Sequence, residues 1–136
     1  MKKLSLYVFL GLLFCNVGFA DINNQSYCGY IIYYPEDAHT SFKVLANFKI
    51  NKKNSVWGTY TFEESEKVYE GVFFNGKLEG NILKIFTTDN FGNGSLNVKF
   101  DSNFENFTGE WEGGDKDINY GDEVYWDGKW EGEICE

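Results

Sequence analysis

Short runs of alternating apolar and polar residues recur along most of this chain, separated by clusters of Gly, Asn and Asp. The clearest runs place an apolar side chain at every second position of segments 42–50 and 96–100. No stretch sustains the i, i+3, i+4, i+7 spacing of an amphipathic helix. The pattern therefore predicts antiparallel strands with one packed face and one solvated face.

We predict about eight strands joined by short turns, among them the dipeptide Asn75-Gly76, which favours a tight hairpin. Short connections imply that successive strands pair as a meander. A meander of this length must close into a barrel or expose two long edges. The predicted fold is all-β, an antiparallel up-and-down barrel, with an open sheet or a two-sheet sandwich as the alternative. The predicted strands are 27–34, 41–51, 56–63, 67–75, 80–88, 94–101, 106–113 and 124–134.

Residues 1–20 have the layout of a secretory signal peptide. Lys2 and Lys3 precede an apolar run that is shorter than the roughly 20 residues a membrane anchor needs. Small residues end the segment, so we expect cleavage near Ala20 and a periplasmic or secreted protein. A lipoprotein with Cys15 first in the mature chain is an alternative, although the bulky Phe14 before it does not fit that motif.

Cleavage would leave residues 21–136 as a single domain. The mature part keeps ten lysines and 21 acids, a formal charge of −11, and the chain has no arginine. Nucleic-acid binding requires a cationic face, so a nucleic-acid partner is not expected. No later segment is long and apolar enough to span a membrane as a helix.

Two cysteines remain in the mature part, Cys28 and Cys135, near its two ends. In an oxidising compartment such a pair predicts a disulfide, with two free thiols or a metal pair as the alternative. If the barrel closes, its first strand lies beside its last, which is where the two cysteines stand. The bond would then join the strands at which the barrel closes.

Catalytic chemistry has little support in the sequence. His39 is the only histidine, and it lies in a polar segment without the Gly-x-Ser-x-Gly motif of a serine hydrolase. Glu70, Glu110 and Glu112 stand beside aromatic residues, as a glycosidase pair would. In a domain with this many acids such neighbours are expected by composition. We therefore predict a protein that is not an enzyme and needs no cofactor.

Two resemblances concern the strand rhythm of the centre of the chain. Segments 57–60, 70–73, 92–96, 107–111 and 126–128 resemble the Gly- and Trp-containing strands of small secreted bacterial β-barrels, akin to avidin-like and lipocalin-like proteins. That resemblance implies a barrel, and the polar biotin-binding residues of avidins have no counterpart here. Segment 58–80 resembles one MORN-type hairpin repeat, and a solenoid needs at least about three.

The aromatic residues are our candidates for a binding site. Aromatics that line a small barrel can form a pocket for an apolar or amphipathic ligand, and this is our leading hypothesis. If they are exposed on one face, they instead mark a protein-binding or glycan-binding module. A small hydrolase is a third hypothesis, and a barrel filled by its own rings needs no ligand. The candidate lining residues are Trp57, Tyr60, Trp111, Trp126 and Trp130.

The acidic segment 113–123 carries Asp115, Asp117 and Asn119 at alternate positions, as a calcium loop begins. An EF-hand loop then requires Gly at its sixth position and Glu at its twelfth, where this chain has Tyr120 and Trp126. A loose calcium site and an acidic surface turn are the two interpretations, and we favour the turn.

Adding calcium to the purified protein should therefore leave its melting temperature nearly unchanged, because the segment lacks the ligand that completes such a site. Calorimetry with calcium and then with a chelator measures this. A rise of many degrees in calcium would contradict the turn interpretation.

Overall fold

The computed structural model describes residues 22–33, 41–116 and 123–136. A 3-10 turn at Ile22–Asn24 precedes eight strands, each antiparallel to the next, and the first strand also pairs with the last. The predicted all-β closed barrel is confirmed, and the open sheet and the sandwich are wrong. The strands are β1 (Ser26–Tyr33), β2 (Ser41–Ile50), β3 (Ser55–Glu64), β4 (Lys67–Glu79), β5 (Ile82–Asp89), β6 (Gly92–Phe100), β7 (Asn106–Lys116) and β8 (Glu123–Ile134).

The barrel closes where β1 pairs with β8, from Tyr27 opposite Ile134 to Tyr33 opposite Gly128. The predicted disulfide joins Cys28 to Cys135 beside this pairing, with Cα atoms 5.1 Å apart and a sequence separation of 107 residues. A loop of that length predicts a stabilisation of about 5 kcal/mol in the chain-entropy model. A disulfide is consistent with an oxidising extracellular or periplasmic environment.

The predicted hairpin turn at Asn75-Gly76 is wrong. Both residues lie inside β4, at a bulge where the register with β3 and β5 shifts. Asn75 does adopt the left-handed conformation that the dipeptide favours, with φ 50°, but the bulge uses it instead of a turn. The chain reverses later, at Gly80 with φ 62°, between the paired residues Glu79 and Ile82.

One end of the barrel is closed by the segment before β1. Ile22 is fully buried in the core. The side chain of Asn23 accepts a hydrogen bond from the backbone N–H of Ile50 (2.7 Å) and donates one to the carbonyl of the same residue (3.3 Å). Asn23 therefore satisfies the last backbone groups of β2 and holds Ile22 across the barrel end, which we call the closed end.

The loop between β6 and β7 completes the closed end. Asp101 accepts hydrogen bonds from the side-chain amide of Asn106 (2.9 Å) and from the backbone N–H of Glu105 (2.8 Å), and these bonds lower the pKa of its carboxyl. The loop presents the carbonyl of Phe104 to the barrel interior, where the hydroxyl of Tyr27 donates to it at 2.7 Å. Burial, with a smaller effect of the Asp101 carboxylate, raises the pKa of Tyr27 to about 12.

Tyr27→Phe should lower the free energy of unfolding by about 1–2 kcal/mol below pH 10, because the carbonyl of Phe104 loses its buried donor. A raised pKa means that the folded state retains the phenol proton more strongly than the unfolded state. The extra stability of the wild type over Tyr27→Phe is thus fully present below pH 10 and is lost as the pH rises towards 12. Denaturant titrations of both proteins across this range measure it.

Tyr30→Phe is the matched control, because Tyr30 is exposed on the outer face of β1. It should follow the wild type at every pH. If the difference in free energy of unfolding between wild type and Tyr27→Phe stays constant from pH 8 to 12, the raised pKa of Tyr27 is contradicted.

Candidate functional site

The five aromatic residues predicted to line a pocket lie in different environments. Trp130 and Tyr60 are buried inside the barrel with ring centroids 5.6 Å apart. Trp111 is partly buried against the same core. Trp57 is on the outer face and 46% exposed. The backbone of Trp126 pairs with Gly113 in β8, and its side chain lies outside the described part of the structure.

The described interior of the barrel is occupied by aromatic rings in mutual contact. From the closed end, Tyr27 packs against Phe100 and Phe107 at 5.5 Å. Phe48 and Phe73 stack at 4.8 Å, and Phe73 contacts Tyr60 at 4.8 Å and Trp130 at 5.7 Å. An eight-stranded barrel has an interior just wide enough for side chains, and here these rings fill its axis.

Glycines facing the interior make room for these rings. A methyl group at Gly71 would lie 2.1 Å from Cζ of Tyr60, and one at Gly132 would lie 2.5 Å from Cε1 of Phe107. Gly71 is also the direct cross-strand partner of Tyr60. The alternation of large and small inward residues therefore packs the rings without gaps at these positions.

A polar contact holds the ring of Tyr60 at the opposite end of the barrel. Its hydroxyl donates to Oδ2 of Asp89 at 2.6 Å, and Oδ1 of Asp89 accepts the backbone N–H of Phe91 at 2.8 Å. Phe91 contacts Phe62 and Tyr69 with ring centroids 5.9 and 5.0 Å apart. The Asp89 carboxylate thus stabilises the β5–β6 turn and holds the hydroxyl of Tyr60 in place.

The outer face carries a row of aromatic side chains, which we call the outer stripe: Trp57 of β3, Phe74 of β4 and Phe86 of β5. Phe74 and Phe86 are direct cross-strand partners with ring centroids 5.9 Å apart. Trp57 stands opposite the β4 bulge, between the pairs Val56–Gly76 and Gly58–Phe73. Trp57 and Phe86 are each about half exposed, so the stripe is an aromatic surface in contact with solvent.

Polar residues border the outer stripe on both long sides. On one side lie Thr59 and Thr88, the two cross-strand neighbours of the exposed Val72. On the other side Lys77 and Lys84 face each other across β4 and β5. The aromatic surface is therefore one residue wide and three strands long.

Sequence reasoning found Trp57 and missed Phe74 and Phe86. Phe73 and Phe74 are consecutive, so one must face inward and the other outward in a strand. The segment Ile82 to Phe86 likewise carries apolar residues on both faces. Apolar residues on the solvated face of an otherwise alternating strand were the available signal. Only the register across the bulge shows that Trp57 shares the outer face of neighbouring strands with the Phe74–Phe86 pair.

The candidate acids do not form one site. Glu70 lies on the outer face of β4, whereas Glu110 and Glu112 lie on the outer face of β7, three strands away. Glu112 accepts a hydrogen bond from Ser95 at 3.3 Å. Glu70 therefore does not face the other two across a cleft.

Of the predicted calcium ligands, Asp115 contributes backbone pairing with Val124 in the β7–β8 ladder. Asp117, Asn119 and His39 lie outside the described residues. Across the ranges that are described, no three His, Cys, Asp or Glu side chains are grouped as metal ligands. Nor do those ranges contain a helix long and apolar enough to cross a membrane.

Comparison with protein families, curated proteins and solved structures found no match for this chain. What the structure shares with small β-barrel proteins is its architecture, a closed barrel of eight antiparallel strands. The segment that resembles a MORN hairpin forms β3 and β4 of that barrel.

Trp130→Ala should destabilise the protein by about 3–5 kcal/mol, because it removes a fully buried ring from the core. Trp57→Ala should change stability by about 0.5 kcal/mol or less, as expected of an exposed side chain outside the packed interior. Chemical denaturation of the two variants measures the difference. Equal losses would contradict the placement of the two tryptophans on opposite faces of the barrel wall.

Proposed function

We propose that this chain is an exported, non-catalytic binding protein that holds an extended glycan chain on the outer stripe. The observation that carries the proposal is the row formed by Trp57, Phe74 and Phe86 on three neighbouring strands. A soluble protein exposes single apolar side chains freely, but aligned aromatic rings on a solvated sheet face indicate a contact surface.

The chemistry of the stripe fits sugar rings. A pyranose presents a C–H face that stacks on an aromatic ring, and its rim of hydroxyls needs hydrogen-bonding partners. Thr59 and Thr88 supply hydroxyls along one side of the stripe. Adjacent strands lie about 4.8 Å apart, which is close to the length of one sugar residue in an extended chain. Successive rings of the stripe can therefore stack on successive sugars.

The shape of the stripe favours a glycan over a protein. A stable protein interface buries about 800 Å² on each partner around an apolar centre. Here the aromatic surface is one residue wide on a convex wall, and the rows beside it carry Thr59, Val72 and Thr88 on one side and Lys77 and Lys84 on the other. A narrow, extended ligand matches these dimensions better than a broad protein epitope.

Our leading sequence hypothesis, a small ligand inside the barrel, has less support. Tyr60 and Trp130, two of its proposed lining residues, are in contact with Phe73 and fully buried in the core. A ligand at their level would have to displace rings that stabilise the fold. The exterior is accessible without such a cost.

An extracellular or periplasmic location agrees with this role. The Cys28–Cys135 disulfide is consistent with an oxidising compartment. The signal peptide predicted at residues 1–20 would deliver the chain to such a compartment, where envelope and extracellular polysaccharides are the abundant extended ligands.

The test is binding to a panel of soluble polysaccharides: polygalacturonate, alginate and hyaluronan, each in its acidic and its methyl-esterified form. Affinity electrophoresis identifies the best ligand, and titration calorimetry then compares variants. Trp57→Ala and Phe86→Ala should each weaken binding by about tenfold or more, because each removes a stacking surface.

Tyr30→Ala is the matched control, because Tyr30 is equally exposed but lies on β1, away from the stripe. It should bind as the wild type does. Binding that is unchanged in Trp57→Ala and Phe86→Ala, or absent for every polysaccharide of the panel, would overturn the proposal.

A further inference from the structure

Lysines surround the outer stripe at one end and along one side. Lys49 of β2 is the direct cross-strand partner of Trp57. Lys77 and Lys84 form the next outward-facing pair beyond Phe74 and Phe86, on the side of the closed end. All three are exposed, so their ammonium groups are available to a ligand that lies on the stripe.

Within the described part of the barrel these charges form no ion pair. The ion pair found among the described side chains joins Lys129 to Glu131 on β8. In that part of the chain Lys49, Lys77 and Lys84 form no ion pair with an acid. Lys49 and Lys77 donate only to neutral backbone carbonyls, those of Asn23 (3.3 Å) and Lys53 (3.2 Å). Lys77 and Lys84 are like charges directly opposite each other, an arrangement that destabilises a sheet.

Glu79 lies two residues beyond Lys77 on the same outer face of β4, and further acids lie on other strands of the barrel. The outer faces of β7 and β8 pair Glu112 with Asp127 and Glu110 with Lys129, and they also carry Glu131 and Glu133. Glu112 is the nearest of these acids in register with the stripe, two strands from Phe86 through Ser95, a distance comparable with the Debye length of about 8 Å at physiological ionic strength. With Lys49, Lys77 and Lys84 against Glu79, the border of the stripe carries a local excess of positive charge on a chain that is acidic as a whole.

Resting on the glycan-binding function proposed above, we infer that the ligand is an acidic glycan whose carboxylates lie against Lys77 and Lys84 while its sugar rings stack on the stripe. The lysines lie along only one long side, and the Thr59–Val72–Thr88 side is uncharged. An extended chain with carboxylates along one edge matches this asymmetry. Towards β7, Ser95 and Glu112 end the cationic surface.

Other polyanions and a second copy of the chain fit less well. A nucleic acid needs many phosphate contacts from Lys and Arg, and the stripe has three lysines on a chain without arginine. The acidic β7–β8 face of a second copy would also complement the lysines. That contact would be head-to-tail and would propagate as an open filament unless its rotation closed a ring.

The experiment compares each polysaccharide of the panel with its methyl ester, which keeps the sugar rings and removes the charge. The wild type should bind the best acidic form about tenfold or more tightly than its ester in low salt, and the preference should shrink as salt is added. The double variant Lys77→Gln/Lys84→Gln should lose this preference and still bind the ester as the wild type does.

Lys43→Gln/Lys67→Gln is the control, because it removes the same charge from exposed lysines away from the stripe. The inference fails, with the glycan-binding function intact, if acid and ester bind equally well or if both double variants lose the same affinity. Binding that is about tenfold or more weaker in Trp57→Ala supports the glycan-binding function. A preference for the acidic form that the control variant retains and Lys77→Gln/Lys84→Gln loses supports the inference.

Two further outcomes would overturn the inference. One is tighter binding of oligo(dT) than of any acidic polysaccharide, with the same dependence on Lys77 and Lys84. The other is concentration-dependent self-association in sedimentation equilibrium that Lys77→Gln/Lys84→Gln abolishes, in the absence of polysaccharide binding.

Discussion

The pairing of β1 with β8 is the interaction on which the rest of this structure depends. It converts a meander with two free edges into a closed wall, so that every strand is paired on both sides. Closure also creates an interior without access from the edges, and the inward residues of all eight strands must fill it. The Cys28–Cys135 bond holds the two strands at this junction and limits how far the unfolded chain can separate them.

The side chains that fill this interior restrict where a ligand could bind. Tyr27, Phe48, Phe73 and Trp130 occupy the described core, and inward glycines such as Gly71 leave space for rings instead of for a ligand. Because these rings occupy the described core and Ile22 closes one end, we place the proposed binding site on the outer face of the wall. There Trp57 stands opposite the bulge at Asn75, on the strand next to the Phe74–Phe86 pair, so a local irregularity of one strand is part of the proposed binding surface.

Much of the fold was predictable because strand alternation and short turns are local properties. The disulfide followed from an even pair of cysteines at the ends of a chain whose meander could close. Asn75-Gly76 was misassigned because a hairpin turn and a bulge can both use a left-handed Asn, and the dipeptide alone does not distinguish them. Which face of the sheet each aromatic residue occupies was more difficult to predict. Trp57 and Trp130 each stand close to a glycine in a strand, and only the register assigns them to opposite faces.

The central claim is that ligands meet the outside of a filled barrel. The four tryptophans of this chain each give one indole N–H signal in a nitrogen–proton NMR spectrum. Single substitutions assign these signals, and polygalacturonate or the best polysaccharide of the panel is then titrated. The account predicts a shift of the Trp57 signal while that of the buried Trp130 stays in place. A shift of the Trp130 signal with Trp57 unchanged would contradict it.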